Sequence, residues 1–95
     1  MIIGILTIEI EIPHANSLKA KRAVLNRIKD RVHSRYNASI AEVDANDIWN
    51  YSELGEAVVS NDQKHANQVL SKLMDFLNGL GDFIVVDFST EFIHI

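Results

Sequence analysis

Seven of the nine Lys and Arg residues in this 95-residue chain lie in one segment, residues 17–36. Asp30 is the one acidic residue among them, so the segment carries a formal charge of +6. The rest of the chain, with two basic and 12 acidic residues, carries −10. Positive side chains spaced along one surface are the groups that bind the phosphates of a nucleic acid. The segment is therefore the first candidate for a phosphate-binding surface.

On a helix the basic residues of this segment form two stripes, because positions three and four apart share a face. We call these the first basic stripe (Lys19, Arg22, Asn26, Lys29, His33) and the second basic stripe (Arg27, Arg31, Arg35). We predict that the first stripe contacts RNA phosphates, with the second as the alternative. The same pattern is also typical of a solvated surface helix, or of a helix that docks on acidic residues of a second copy.

Lys21 lies on neither stripe, because its direction falls within the apolar arc between Leu25 and Ile28. A lysine in that position can lay its stem over the core while its amine reaches solvent or an acid at the helix start. This structural role is the favoured interpretation. We keep Lys21 as a further phosphate contact that reaches out from the helix start.

A second concentration of polar residues is the segment AEVDANDIWNYSELGEAVVSND, residues 41–62. Its first half offers carboxylates to a hard cation at Glu42, Asp44 and Asp47, but it lacks the spacing and the turn glycine of an EF-hand loop. A polar turn is the better interpretation. Trp49 and Tyr51 lie in or beside this turn, either as a lid over the edge of the core or as a contact for a partner.

The chain offers no catalytic signature. It has no cysteine, which excludes disulfides, thiolate zinc sites and cysteine nucleophiles. Walker loops, GxGxxG motifs and nucleophile elbows are absent, and the four histidines are scattered without the spacing of metal ligands. We therefore predict no catalytic residues, no metal and no cofactor.

The hydrophobic pattern predicts the order strand, helix, strand, strand, helix, strand. The opening run MIIGILTIEIEIP alternates as a half-buried strand and ends at Pro13. The first helix is predicted to begin at Asn16 or Ser17 and to end near Arg35. Two short strands then follow, joined by a hairpin turn across about residues 45–51.

The second helix is predicted to begin with a capping box formed by Ser60 and Gln63, and to end at Asn78 and Gly79. The last strand alternates again. Its inward residues are predicted to be Ile84, Val86, Phe88 and Phe92.

Two strand-helix-strand halves with right-handed crossovers form an α+β fold. We predict the ferredoxin-like βαββαβ arrangement, a four-stranded antiparallel sheet with two helices on one face, as a single domain over residues 1–95. RNA-recognition modules of this topology stack bases on aromatic residues of the sheet, but the outward positions of the first and last strands here are acidic and free of aromatic residues, so this face should not bind RNA bases. Ile3 and Ile5 give that face a modest apolar patch, which predicts either a homodimer contact or tolerated exposure.

Glu9 and Glu11 interrupt the apolar opening run, so we interpret it as neither a signal peptide nor a transmembrane segment. A cytoplasmic protein without a membrane partner is expected. A homodimer could form through the sheet face or the hairpin.

The run SLKAKRAVLNRIKDR, the 41–62 segment and the opening strand that ends in proline resemble the YlxP-like family of small uncharacterised bacterial proteins. The resemblance spans nearly the whole chain, and the positions that carry it are Ser17, Leu18, Lys19, Lys21, Arg22, Asp44, Asp47, Trp49, Leu54, Gly55, Val59, Ser60, Asn61 and Asp62. It implies a ferredoxin-like fold, a cytoplasmic protein, no established enzymatic activity, and genes often found beside those of translation-initiation and ribosome-maturation factors.

From the resemblance and the basic segment together we expect a non-catalytic accessory protein of translation, associated with the ribosome, that contacts structured RNA through the first helix. The alternative is a small homo-oligomeric interaction protein with no nucleic-acid partner.

Overall fold

The computed structural model describes all of residues 1–95 and contains six elements in the predicted order. The strands are β1 (Ile2–Glu11), β2 (Ser39–Asp44), β3 (Tyr51–Ser60) and β4 (Ile84–His94), and the helices are α1 (Leu18–Arg35) and α2 (Gln63–Asn78). The strands form one antiparallel sheet in the order β2-β3-β1-β4. The predicted ferredoxin-like arrangement is confirmed. Neither helix has both the length and the apolar composition that crossing a lipid bilayer requires.

β1 is a central strand, paired with β3 on one side and β4 on the other. Its alternate residues Leu6, Ile8 and Ile10 are fully buried, and the pattern continues to Ile12 just beyond the strand. The same face of β3 contributes Leu54 and Val58. The period-2 pattern of the sequence therefore locates the core between this face of the sheet and the two helices.

α1 begins where the sequence predicts, because the Ser17 hydroxyl caps it by accepting a hydrogen bond from the Ala20 amide at 3.1 Å. Leu25, Ile28 and Val32 form its buried stripe. The remaining surface of the helix carries the basic residues other than Lys21, which is buried with this stripe.

The predicted capping box of α2 is wrong. The helix starts at Gln63, and the N-cap is Asp62, whose carboxylate accepts from the Lys64 amide at 3.3 Å. The Ser60 hydroxyl instead accepts from the Asp62 amide at 3.1 Å, which stabilises the turn before the helix. Gly79 ends the helix as predicted.

β4 departs from the predicted alternation. Glu9 of β1 lies opposite Asp87, but the next residue, Ile10, lies opposite Val85, so Val86 is an extra residue in a β-bulge. The bulge reverses the phase, and Val85 packs against the core while Ile84 and Val86 are exposed. The prediction of these two residues as inward was therefore wrong. Phe92 packs against the core as predicted, whereas Phe88 stays 55% exposed on this edge strand.

Candidate nucleic-acid interface

The first basic stripe forms an open cationic surface along α1. Lys19, Arg22 and His33 are exposed and Lys29 is half-buried. Only two ion pairs form in the chain, and neither involves a residue of this stripe. From Lys19 to His33 the stripe extends about 21 Å along the helix. Its charges are therefore available to a negatively charged partner.

The second basic stripe faces the α2 side of the molecule and is partly occupied. Arg27 pairs with Asp82, in the turn before β4, with 3.5 Å between Nε and Oδ2. The Arg35 guanidinium lies 4.9 Å from the centre of the Phe76 ring on α2, a cation–π contact. Arg31 is exposed and has no ion-pair partner. Tertiary contacts thus distinguish two stripes that are similar in the sequence.

Lys21 lies apart from the other basic residues, because it is buried in the core and only 1% exposed. Its ammonium donates to the carbonyl oxygens of Ala45 at 2.7 Å and Ile48 at 2.5 Å, and pairs with the Glu42 carboxylate at 2.6 Å. These three acceptors match the three protons of an ammonium group. None is left for a phosphate, so Lys21 is not part of the surface on which the sequence also placed it.

The Glu42 carboxylate completes this buried network. The same oxygen that pairs with Lys21 also accepts a hydrogen bond from the Ser52 hydroxyl at 2.6 Å. The sequence interpretation gave Glu42 to the turn, to a cation, or to the acidic residues on which a second copy could dock. The signal for the pairing was the position of Lys21, since the amine of a lysine inside an apolar arc must reach either solvent or an acidic partner. No cluster of His, Asp or Glu side chains in the chain has the geometry of a metal site.

The β2–β3 loop (residues 45–50) is held by hydrogen bonds on both sides. Besides the two bonds from Lys21, the amide of Ile12 donates to the Asn50 carbonyl at 2.9 Å. Ala45 adopts the left-handed conformation, with φ of 63°. That conformation is stabilised because the Ala45 amide donates to the Asp44 carboxylate and its carbonyl accepts from the Ile48 amide at 3.0 Å. The loop therefore has a defined shape.

Trp49 lies in this loop with 45% of its surface exposed, beside the equally exposed Ile48. Of the two predicted roles, a lid or an exposed contact, this exposure favours the contact. Tyr51 has a different environment, because it is in register with Glu11 at the acidic end of the sheet. The Glu9 carboxylate next to its hydroxyl, with a smaller contribution from partial burial, raises the pKa of Tyr51 to about 12. Tyr51 is therefore surrounded by acids, not by cations.

The open face of the sheet, away from the helices, contains a shallow apolar groove of about 290 Å³. It is lined mainly by Ile5, Ala41, Val43, Gly55 and Ala57. The apolar patch predicted from β1 alone is therefore extended by β2 and β3. The opposite end of the same face is acidic, with Glu9, Glu53 and Asp87 around a smaller depression.

Glu56 is an acid whose burial the sequence interpretation missed. It is 1% exposed, and its neighbours across the sheet are Leu6 and Ile40. Neither of its carboxyl oxygens has a hydrogen-bond partner. Burial in this apolar setting raises the pKa of Glu56 to about 8. The available signal was its position two residues from Leu54 and Val58 on the inward face of an alternating strand.

Comparison with known proteins agrees with the family resemblance. A protein of Bacillus subtilis (strain 168), described as uncharacterized protein YlxP, is 38% identical over 76 residues, which cover 80% of this chain and 83% of that protein. Residues 3–90 match the family described as "Protein of unknown function (DUF503)". The chain therefore belongs to the DUF503 family, and its similarity to YlxP confirms the YlxP-like resemblance.

Proposed function

We propose that this protein is a non-catalytic accessory factor of translation that contacts the phosphates of structured RNA through the first basic stripe of α1. The observation that carries the proposal is that Lys19, Arg22, Lys29 and His33 lie along one side of a helix without a single acidic partner. This holds in a chain with 13 acidic residues and a net charge of −4. Leaving these cations unpaired is consistent with their use by an external anion.

Contacts of this kind fix position and not sequence, because lysine and arginine on a helix surface reach phosphate oxygens first. The stripe, about 21 Å long from Lys19 to His33, fits the spacing of several phosphates along a folded RNA backbone. The acidic end of the sheet lies on the opposite face. Screening over about 8 Å at physiological salt keeps that field from cancelling the attraction at α1.

Co-sedimentation with ribosomal subunits at about 50 mM and about 200 mM salt tests this proposal. The test variant carries Lys19→Glu, Arg22→Glu and Lys29→Glu. A matched control carries the same change of charge outside the first basic stripe, at three exposed residues: Arg31→Glu, Lys64→Glu and Lys72→Glu. Circular dichroism and thermal melting establish that both variants fold.

The proposal predicts binding that weakens with salt, with a log–log slope between about −2 and −3 for three phosphate contacts. Binding should be lost in the test variant and largely kept in the control. Equal loss in both variants would show that only net charge matters. No binding of the wild type at the lower salt concentration would refute the proposal.

A second candidate function, self-association through the open face of the sheet, is favoured by the apolar groove. The open face of the sheet has the apolar groove at one end and the acidic residues at the other. Two copies related by a two-fold axis through the groove would bury their apolar halves and keep their acidic ends apart. This second candidate function therefore places a second copy of the chain in the groove.

Sedimentation equilibrium separates the two candidates. Val43→Lys, at a residue 56% exposed in the groove, should abolish the dimer, whereas Val86→Lys, at a residue 47% exposed on β4, should not. A mass that falls as salt is added would instead indicate that the basic helix docks on the acidic end of a second copy. A monomer at all concentrations and salts would exclude self-association.

A further inference from the structure

Trp49 is an exposed aromatic side chain on a loop of fixed shape. It is the single tryptophan of the chain, and its exposed fraction of 45% is large for a residue type that is mostly buried in folded proteins. The loop around it is held through Ala45, Ile48 and Asn50 by donors from α1 and from the end of β1. An aromatic ring whose backbone is already ordered loses little conformational entropy on binding a ligand.

The hydrogen bonds of Lys21 also fix where the backbone next to Trp49 lies. The carbonyl of Ile48, the residue before Trp49, is bonded to the ammonium of a lysine that stands between Lys19 and Arg22 in the helix. Along the helix axis, Lys19 and Arg22 are displaced from Lys21 by only about 3 Å or less, while around the axis Arg22 is about 100° and Lys19 about 160° away. The loop with Trp49 and the first cations of the first basic stripe are therefore at the same end of the molecule.

An exposed aromatic ring at the same end of a molecule as unpaired basic side chains is a combination that binds an unpaired nucleotide. The base stacks on the ring, and the flanking phosphate pairs with a lysine or arginine. The charge of the loop agrees with this placement of the base on the ring and of the phosphate on the basic residues. Asp47 is exposed near Trp49 and repels phosphate, so the uncharged base belongs on the loop and the phosphate on the helix.

Building on the proposed function, on which this inference rests, we infer that Trp49 together with Lys19 and Arg22 forms a binding site for one unpaired nucleotide of RNA, with its base stacked on the indole ring. The buried Lys21 is a positioning residue for this site, because it ties the loop to the helix. The proposed ligand is therefore RNA that contains an unpaired base, and not any RNA that presents phosphates.

The single tryptophan makes the test direct, since all tryptophan fluorescence of the intact chain comes from Trp49. The probes are an oligouridylate of about ten nucleotides and a blunt RNA duplex of the same length. Binding is followed independently by the anisotropy of a dye on the RNA. Stacking should quench the fluorescence of Trp49 when the single strand binds and leave it nearly unchanged when the duplex binds.

Trp49→Ala should weaken binding of the single strand by about 5-fold to 150-fold, the range for one stacked base, and leave duplex binding unchanged. Trp49→Phe should keep most of the affinity. Ile48→Ala is the matched control, because Ile48 is a neighbouring apolar residue of nearly the same exposure, and this change should have little effect.

The outcomes also distinguish this site from the proposed function. If neither RNA binds at low salt, the proposed function fails and the site fails with it. In the second outcome, the wild type binds both RNAs, and the double variant Lys19→Glu, Arg22→Glu binds neither. If Trp49→Ala then binds the single strand as well as the wild type does, the phosphate-binding surface stands and the nucleotide site is refuted. Saturated anisotropy without quenching would refute it equally.

Discussion

Replacing Glu56 by glutamine should make the protein more stable, and more so as the pH rises. Burial raises the pKa of Glu56 from 4.5 to about 8, so the folded state keeps a proton that the unfolded state releases. Stability from this group is complete below about pH 4.5 and is lost as the pH rises to about 8. At about 1.4 kcal/mol for each pH unit, the loss has an upper limit of about 5 kcal/mol. Glutamine has nearly the same shape and does not ionise, so Glu56→Gln should not incur this loss.

The assay is urea denaturation of both proteins between about pH 6 and about pH 9. The advantage of Glu56→Gln in the free energy of unfolding should grow from at most about 2 kcal/mol to at most nearly 5 kcal/mol over this range. Glu53→Gln is the control, because Glu53 is on the same strand but on the open face, and it should change stability by less than about 0.5 kcal/mol. An advantage of Glu56→Gln that stays constant with pH would refute the reasoning, since it would mean that the acid ionises without cost.

The remaining predictions concern single contacts, each measured by urea or thermal unfolding. Lys21→Met should destabilise the fold by on the order of 3 kcal/mol, because it leaves the Glu42 carboxylate without its cation, and Glu42→Leu in the same chain should recover part of that loss. Gly81→Ala should cost about 1 kcal/mol because φ is 82° there, whereas Gly79→Ala, at a residue with φ of −86°, should be neutral or stabilising. Arg27→Ala removes an exposed ion pair and should cost less than about 1 kcal/mol. A larger effect of Arg27→Ala than of Lys21→Met would contradict this order.

The fold could be predicted from the sequence because its elements have strong local signals. The alternation of β1 and the helical stripe of α1 are each set by which residues are apolar, and Ser17 supplies a cap within the segment itself. The bulge at Val86 was not predictable in this way. It depends on how β4 registers against β1, a contact between residues far apart in the chain. The α2 cap was missed because Ser60 and Asp62 are both good N-cap residues, and the choice between them depends on where β3 ends.

In the candidate site, too, local features could be predicted from the sequence and long-range contacts could not. The sequence identified the two basic stripes, but only tertiary structure shows that Arg27 and Arg35 are engaged by Asp82 and Phe76 while the first stripe is free. The sequence also indicated that the amine of Lys21 must reach either solvent or an acid. It could not identify Glu42, because that pairing depends on how the β2–β3 hairpin packs against the start of α1.

The Lys21 ammonium does for the β2–β3 loop what a bound metal ion does for many oxygen-rich loops. It gathers two backbone carbonyls and a carboxylate around one positive charge, with distances of 2.5 to 2.7 Å. This cation is covalently tethered to the helix, so it cannot be lost by dilution or removed by a chelator. The loop that carries Trp49 should accordingly keep its shape at any concentration of calcium, magnesium or EDTA, and its order is coupled to the folding of α1 and not to the supply of an ion.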